Sequence, residues 1–230
     1  VRGARSQETG RPVVTQTGTI EHEKRYGTAG PEMEIFMRAL LALLLIAVPT
    51  AAFAHTGHGD TSGFLHGFMH PVGGIDHILA MVAVGVFAYV LGGKALWLVP
   101  LSFVAMMAVG FLLGVGQIDV PFVELGIALS SVVIGGAAAL GRPMPVVAAS
   151  ALVGVFAIFH GHAHGAEMPV DASGFEYAAG FIVATALLHA AGIGAAMGVT
   201  KLVGKYGKTA AQVAGGVFAL GGIGVLAGWL

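Results

Sequence analysis

Apolar residues in this chain come in long unbroken blocks, not in the alternating or one-faced patterns of a soluble domain. Six blocks stand out: roughly 66–91, 95–115, 120–140, 144–164, 175–199 and 209–229. A helix needs about 20 apolar residues to cross the hydrocarbon core of a bilayer, so each block is long enough to span. The polar breaks between them are short, which predicts antiparallel neighbours. The expected fold is an all-α integral membrane protein with six transmembrane helices after a cleaved signal peptide.

The segment before the first block reads differently. Residues 1–36 are polar, rich in Gly, Thr, Glu and Arg, and carry no apolar period. Met37-Arg38, the leucine-rich run Ala39 to Val48, Pro49 and Ala52-Phe53-Ala54 follow. A basic start, a short apolar core and an A-x-A ending form a secretory signal peptide. Cleavage after Ala54 leaves His55 as the mature N-terminus. The chain therefore divides into an extension (1–36) outside the mature protein, a signal peptide (37–54) and a transmembrane domain (55–230). The alternative is a cytoplasmic tail followed by an uncleaved first helix.

Composition agrees with the block pattern. Apolar residues make up 56% of the chain and charged residues 10%, with a mean hydropathy of +0.86. A soluble domain carries about 25% charged residues. There is no Cys, which excludes disulfides, thiolate metal sites and Cys nucleophiles. Net charge is −1, and no basic stripe points to nucleic acid. The 37 glycines suit helices that pack closely in lipid. Gly110-x-x-x-Gly114, Gly194-x-x-x-Gly198 and Gly224-x-x-x-Gly228 are candidate packing faces.

Charge gives the orientation. Beyond residue 54 the basic residues are Lys94, Arg142, Lys201, Lys205 and Lys208, all in the first, third and fifth loops. Asp119, Glu167, Asp171 and Glu176 lie in or beside the other two. Basic loops stay cytoplasmic, so both mature termini face the periplasm, as an exported signal peptide also requires. The expected location is the bacterial inner membrane.

Ionisable groups inside a span are costly and face a cavity or one another. Here they are concentrated. His66, His70, Asp76 and His77 open the first span, Glu124 starts the third, His160, His162, His164 and Glu167 close the fourth, and His189 lies within the fifth. At about 100° per residue, His160, His164 and Glu167 share a face. So do His66, His70 and His77 if one helix carries them, with Gly73 leaving room between. Pro71 breaks that phase if the helix starts there. Asp76 is placed to coordinate beside His77 or to orient an imidazole. His55 and His58 add ligand types to the mature N-terminus. Mixed imidazole and carboxylate sets suit Ni, Co, Zn, Cu(II) and Fe(II).

Blander roles compete at single positions. A lone membrane histidine such as His189 serves well as a helix–helix hydrogen-bonding group, His162 points away from the shared face, and Glu176 and Asp171 read as solvated loop charges. The Phe64–His70 segment echoes Ile158–His164, but one opens an inward helix and the other closes an outward one, so the echo does not establish a repeat.

At these motifs the chain resembles the HupE/UreJ family of nickel permeases. The matching residues are His70-Pro71-x-x-Gly74-x-Asp76-His77, Phe159-His160-Gly161-x-x-His164-Gly165-x-Glu167, and the Pro-Phe-x-Glu stretch ending at Glu124. The resemblance covers roughly 55–230. It implies a metal pathway through His70, Asp76, His77, Glu124, His160, His164 and Glu167, with His66, His162, His189, His55 and His58 as secondary candidates. It implies a non-enzymatic permease with no prosthetic group, Ni²⁺ or Co²⁺ as cargo, and a link to hydrogenase or urease maturation. No G-x-x-x-x-G-K-[ST] loop for ATP occurs. A membrane metalloenzyme and a periplasm-facing metal sensor or buffer are the alternatives.

Overall fold

A computed structural model of the chain describes residues 62–170 and 172–230. The extension, the signal peptide, His55, His58 and Asp171 lie outside them. The described residues are all-α: α1 (Ser62–Gly73), α2 (Ile75–Leu91), α3 (Ala95–Val115), α4 (Val123–Leu140), α5 (Val146–Ala166), α6 (Gly174–Val203) and α7 (Gly207–Leu226), with a 3₁₀ turn at Gly204–Tyr206 before α7. The helix limits follow the apolar blocks to within a few residues. Their ends carry familiar stop and start chemistry. Gly92 and Gly141, both at positive φ, return their N–H groups to Ala88 and Ala137. Ser173 caps α6 by accepting from the Glu176 N–H, and Glu176 adds a carboxylate to the first turn.

Among the described residues, four stretches are long and apolar enough to cross a membrane, and up to five if the bent pair α1–α2 is one span. Residues 174–226 count once in that tally, yet Gly204 sits at φ +56° and the 3₁₀ turn interrupts them. α7 packs back against α4, α2 and α6.

α1 and α2 meet at Gly74 with an 81° bend. The break is not at Pro71, which lies inside α1. His70 and His77 therefore belong to different helices, so of the two readings of the first block the one that separates His66 and His70 from His77 is realised, with the break at Gly74 instead of Pro71.

Glycines set the close contacts, because a missing Cβ lets backbones touch. A methyl group on Gly110 or Gly114 would strike the Ile158 or His162 carbonyl of α5, and one on Gly161 or Gly165 would strike the Met107 or Phe111 carbonyl of α3. Gly67 sits on the Tyr177 carbonyl and Gly85 on the His189 carbonyl, both of α6. Gly135 and Gly215 join α4 to α7. Of the candidate packing faces, only Gly110-x-x-x-Gly114 is used this way. Gly194, Gly198 and Gly228 have open space where a Cβ would stand, and Gly224 meets only the Leu230 side chain.

The same contacts give helix directions. α3 and α5 run parallel, with Met106 beside Gly154, Gly110 beside Ile158 and Gly114 beside His162. α4 and α7 run antiparallel, from Gly141–Gln212 to Ser131–Gly222. α3 and α6 are antiparallel as well, through Phe103–His189, Met107–Thr185 and Phe111–Phe181.

Candidate functional site

The bend at Gly74 is what brings the histidines together. α1 delivers His70, α2 delivers His77 and α5 delivers His160 and His164 one turn apart. The ring centroids of His70 and His164 are 4.6 Å apart, those of His77 and His160 are 4.8 Å apart, and His77 and His164 are separated by 5.3 Å. His160 and His164 have no solvent exposure and His77 is 7% exposed. The four imidazoles thus form one packed group within an apolar bundle.

Two carboxylates stand beside two of these rings. Asp76 Oδ1 lies 3.0 Å from His77 Nδ1 and also accepts the His77 backbone N–H at 2.8 Å. Asp76 stands in the first turn of α2, where the helix dipole favours negative charge. A Cβ on Gly74 would crowd Asp76 Oδ1 at 2.6 Å and His77 Nδ1 at 3.2 Å, so only glycine leaves this pair undisturbed. Glu167, at the C-terminal end of α5, places Oε2 3.3 Å from His70 Nε2. This carboxylate–imidazole pairing is the arrangement that orients metal-binding histidines.

Among the described residues, several buried nitrogens are left without partners: His77 Nε2, His160 Nδ1, and both ring nitrogens of His164 and His189. Buried polar atoms are nearly always hydrogen-bonded, so this cluster of unpartnered imidazole nitrogens is where a polar ligand would find partners. Among the described residues, however, no three His, Asp or Glu side chains stand ready to hold an ion as placed. The rings of these histidines meet edge to face.

The remaining candidates separate from this group. His66 and Glu124 are exposed and, among the described residues, make no hydrogen bond or ion pair. His162 Nε2 bonds the Ile118 carbonyl and ties α5 to the loop after α3. His189 is buried on α6 and meets the far group through Phe103, whose ring is 5.1 Å from His189 and 5.6 Å from His160. Along α5 and α6 the order is therefore Glu167 with His70, then His164 on Phe181, then His160 with His77, then Phe103, then His189.

Two residues that sequence reading passed over belong here. Ser130 of α4 has its hydroxyl 3.0 Å from His160 Nε2. Tyr177 of α6 is buried, with its hydroxyl unpartnered and its ring 6.3 Å from that of His70. A Ser-Ser pair in the middle of an apolar span was the available signal for the first. Nothing in the sequence marked the second.

Comparison with known proteins gives a consistent relationship. Residues 42–225 match the family model described as HupE / UreJ protein. The chain is 45% identical over 194 residues to Protein HupE of Rhizobium leguminosarum bv. viciae, covering 84% of this chain and 99% of that one. No solved structure matches it.

Proposed function

Because this chain belongs to the HupE/UreJ family, a membrane transporter-type family associated with nickel or cobalt transport in hydrogenase and urease systems, we propose that it is a permease carrying Ni²⁺, with Co²⁺ as the neighbouring choice, into the cell. The observation that carries the reading is the group of His70, His77, His160 and His164, with Asp76 bonded to the His77 ring and Glu167 3.3 Å from the His70 ring.

The protein is a multi-pass membrane protein. Six spans follow if α1–α2 is one bent span and Gly204 ends another. The helix directions support this: in an alternating six-span chain the second and fourth spans run parallel, and the third and sixth, like the second and fifth, run antiparallel. α3 with α5, α4 with α7 and α3 with α6 do so. With the basic loops inside, Glu167 and His70 lie toward the periplasm and His77, His160 and His189 progressively deeper. Discontinuous helices are a recurring way of building ion sites at membrane depth, and the Gly74 break is one.

In this scheme Glu167 and His70 receive a partly hydrated ion. His164, then His77 and His160, pass it inward through mixed nitrogen and oxygen contacts. A site that never closes into a rigid cage releases its ion readily, which conduction requires. A divalent ion gains about 4.6 kcal/mol per 100 mV of inside-negative potential. Glu124 and His66, both exposed, act at most in attracting the ion at the surface.

Uptake of radioactive nickel into proteoliposomes tests the reading. Lumenal accumulation above that of protein-free vesicles supports it. Saturable surface binding with no accumulation identifies a sensor or buffer, and tightly held iron with turnover of a lipid substrate identifies a metalloenzyme.

A further inference from the structure

We propose that Ser130 is a positioning residue that fixes the tautomer of His160, so that this ring presents Nδ1 to the ion while His77 presents Nε2. The inference rests on the permease reading and adds to it which atom of each ring does the binding.

Hydrogen-bond bookkeeping carries it. The Ser130 hydroxyl is fully buried and lies 2.5 Å from the Ile127 carbonyl and 3.0 Å from His160 Nε2. A hydroxyl has one proton, and a carbonyl can only accept. The Ser130 proton is therefore committed to Ile127, and only lone pairs face His160. For the second contact to be a hydrogen bond, His160 Nε2 must carry the proton. A neutral imidazole has one N–H, so His160 Nδ1 holds the lone pair. That atom is buried and has no partner.

His77 is set the opposite way. Its Nδ1 faces Asp76 Oδ1 at 3.0 Å, and a carboxylate accepts, so Nδ1 carries the proton and Nε2 the lone pair. His77 Nε2 is likewise buried without a partner. The two rings stand 4.8 Å apart and nearly perpendicular, each with one bare nitrogen and each fixed by a different group. Bonding at one ring nitrogen decides which nitrogen is left for metal.

A buried serine in a membrane helix commonly bonds back to its own chain, and that alone says nothing about a site. Ser131 shows the bare case: it is buried, bonds the Ala128 carbonyl at 3.1 Å, and meets no histidine. Ser130 differs from its neighbour in the bond to α5.

The test reads the tautomer first. In metal-free, full-length protein in nanodiscs with ¹⁵N-labelled histidine, two-bond ¹⁵N–¹H correlations report the His160 tautomer, with the signal assigned by its loss in His160→Ala. The expected result is Nε2–H in the wild type and in Ser130→Thr, and tautomer exchange in Ser130→Ala. In proteoliposomes Ser130→Ala should raise the half-saturating nickel concentration about 10-fold, with Ser130→Thr restoring it and Ser131→Ala unchanged. An Nδ1–H tautomer in the wild type overturns the proposal, as does a Ser130→Ala protein with unaltered tautomer and half-saturation. Absence of nickel uptake by the wild type would instead overturn the permease reading, and leave the measured tautomer standing.

Discussion

His70 and His164 lie in different helices, 94 positions apart in sequence, with ring centroids 4.6 Å apart. They meet only because the first apolar block breaks at Gly74 and turns by 81°. The geometry of that break is thus a determinant of the site, and Gly74→Ala tests it. The added methyl would press on the Asp76 carboxylate and the His77 ring. Nickel uptake should fall about 10-fold or more, the scale of losses when a partner orienting a metal ligand is disturbed, while the protein still inserts and purifies normally. Uptake equal to wild type would show that the Asp76–His77 contact is dispensable.

Asp76→Asn keeps the shape of the pair and removes its charge. The amide can still accept from His77, yet no longer stabilises a metal-loaded imidazole. Apparent nickel affinity should drop about 10–100-fold, measured as the half-saturating concentration in vesicles.

His162→Ala addresses a residue that the sequence offers only as a secondary candidate and that the structure ties to the loop after α3. Its Nε2 ties to the Ile118 carbonyl. Uptake should stay within about twofold of wild type, and thermal stability should fall by about 1 kcal/mol, the usual net worth of one hydrogen bond. A large uptake defect in a normally stable protein would make His162 part of the pathway.

The α3–α5 contact positions both His160 and His164. Gly161→Ala sets a methyl against the Met107 carbonyl, which neither backbone can readily yield. Overpacking of this kind costs about 1–3 kcal/mol, so the melting temperature in detergent should drop. Gly194→Ala, facing open space, should leave it unchanged.

Much of this was legible in the sequence, for definite reasons. Helix limits follow block length and loop chemistry, so the predicted 95–115 and the observed Ala95–Val115 coincide. The shared face of His160, His164 and Glu167 followed from helical period alone, and all three reach the site. The sequence leaves the first block open between one helix and a break at Pro71, the visible helix breaker, whereas the actual break lies at Gly74, where glycine makes room for the folded Asp76–His77 pair. Glycine spacing told which helix faces are small but not what lies opposite, so Gly110 and Gly114 were right and Gly194 and Gly198 were not. Ser130 and Tyr177 are ordinary residues for a membrane helix, and only their neighbours from other helices give them a role.

Orientation remains open to a direct check. A reporter fused after Lys208 should read cytoplasmic and one fused at Leu230 periplasmic. The reverse would turn the pathway from import to export.

The central claim is that the four-imidazole group conducts the ion. Its most direct test is the initial rate of radioactive nickel uptake into proteoliposomes holding equal amounts of wild-type and His77→Ala protein under an inside-negative potential. The account predicts robust uptake by the wild type and a loss of about 10-fold or more in the variant. Equal rates in the two would contradict it.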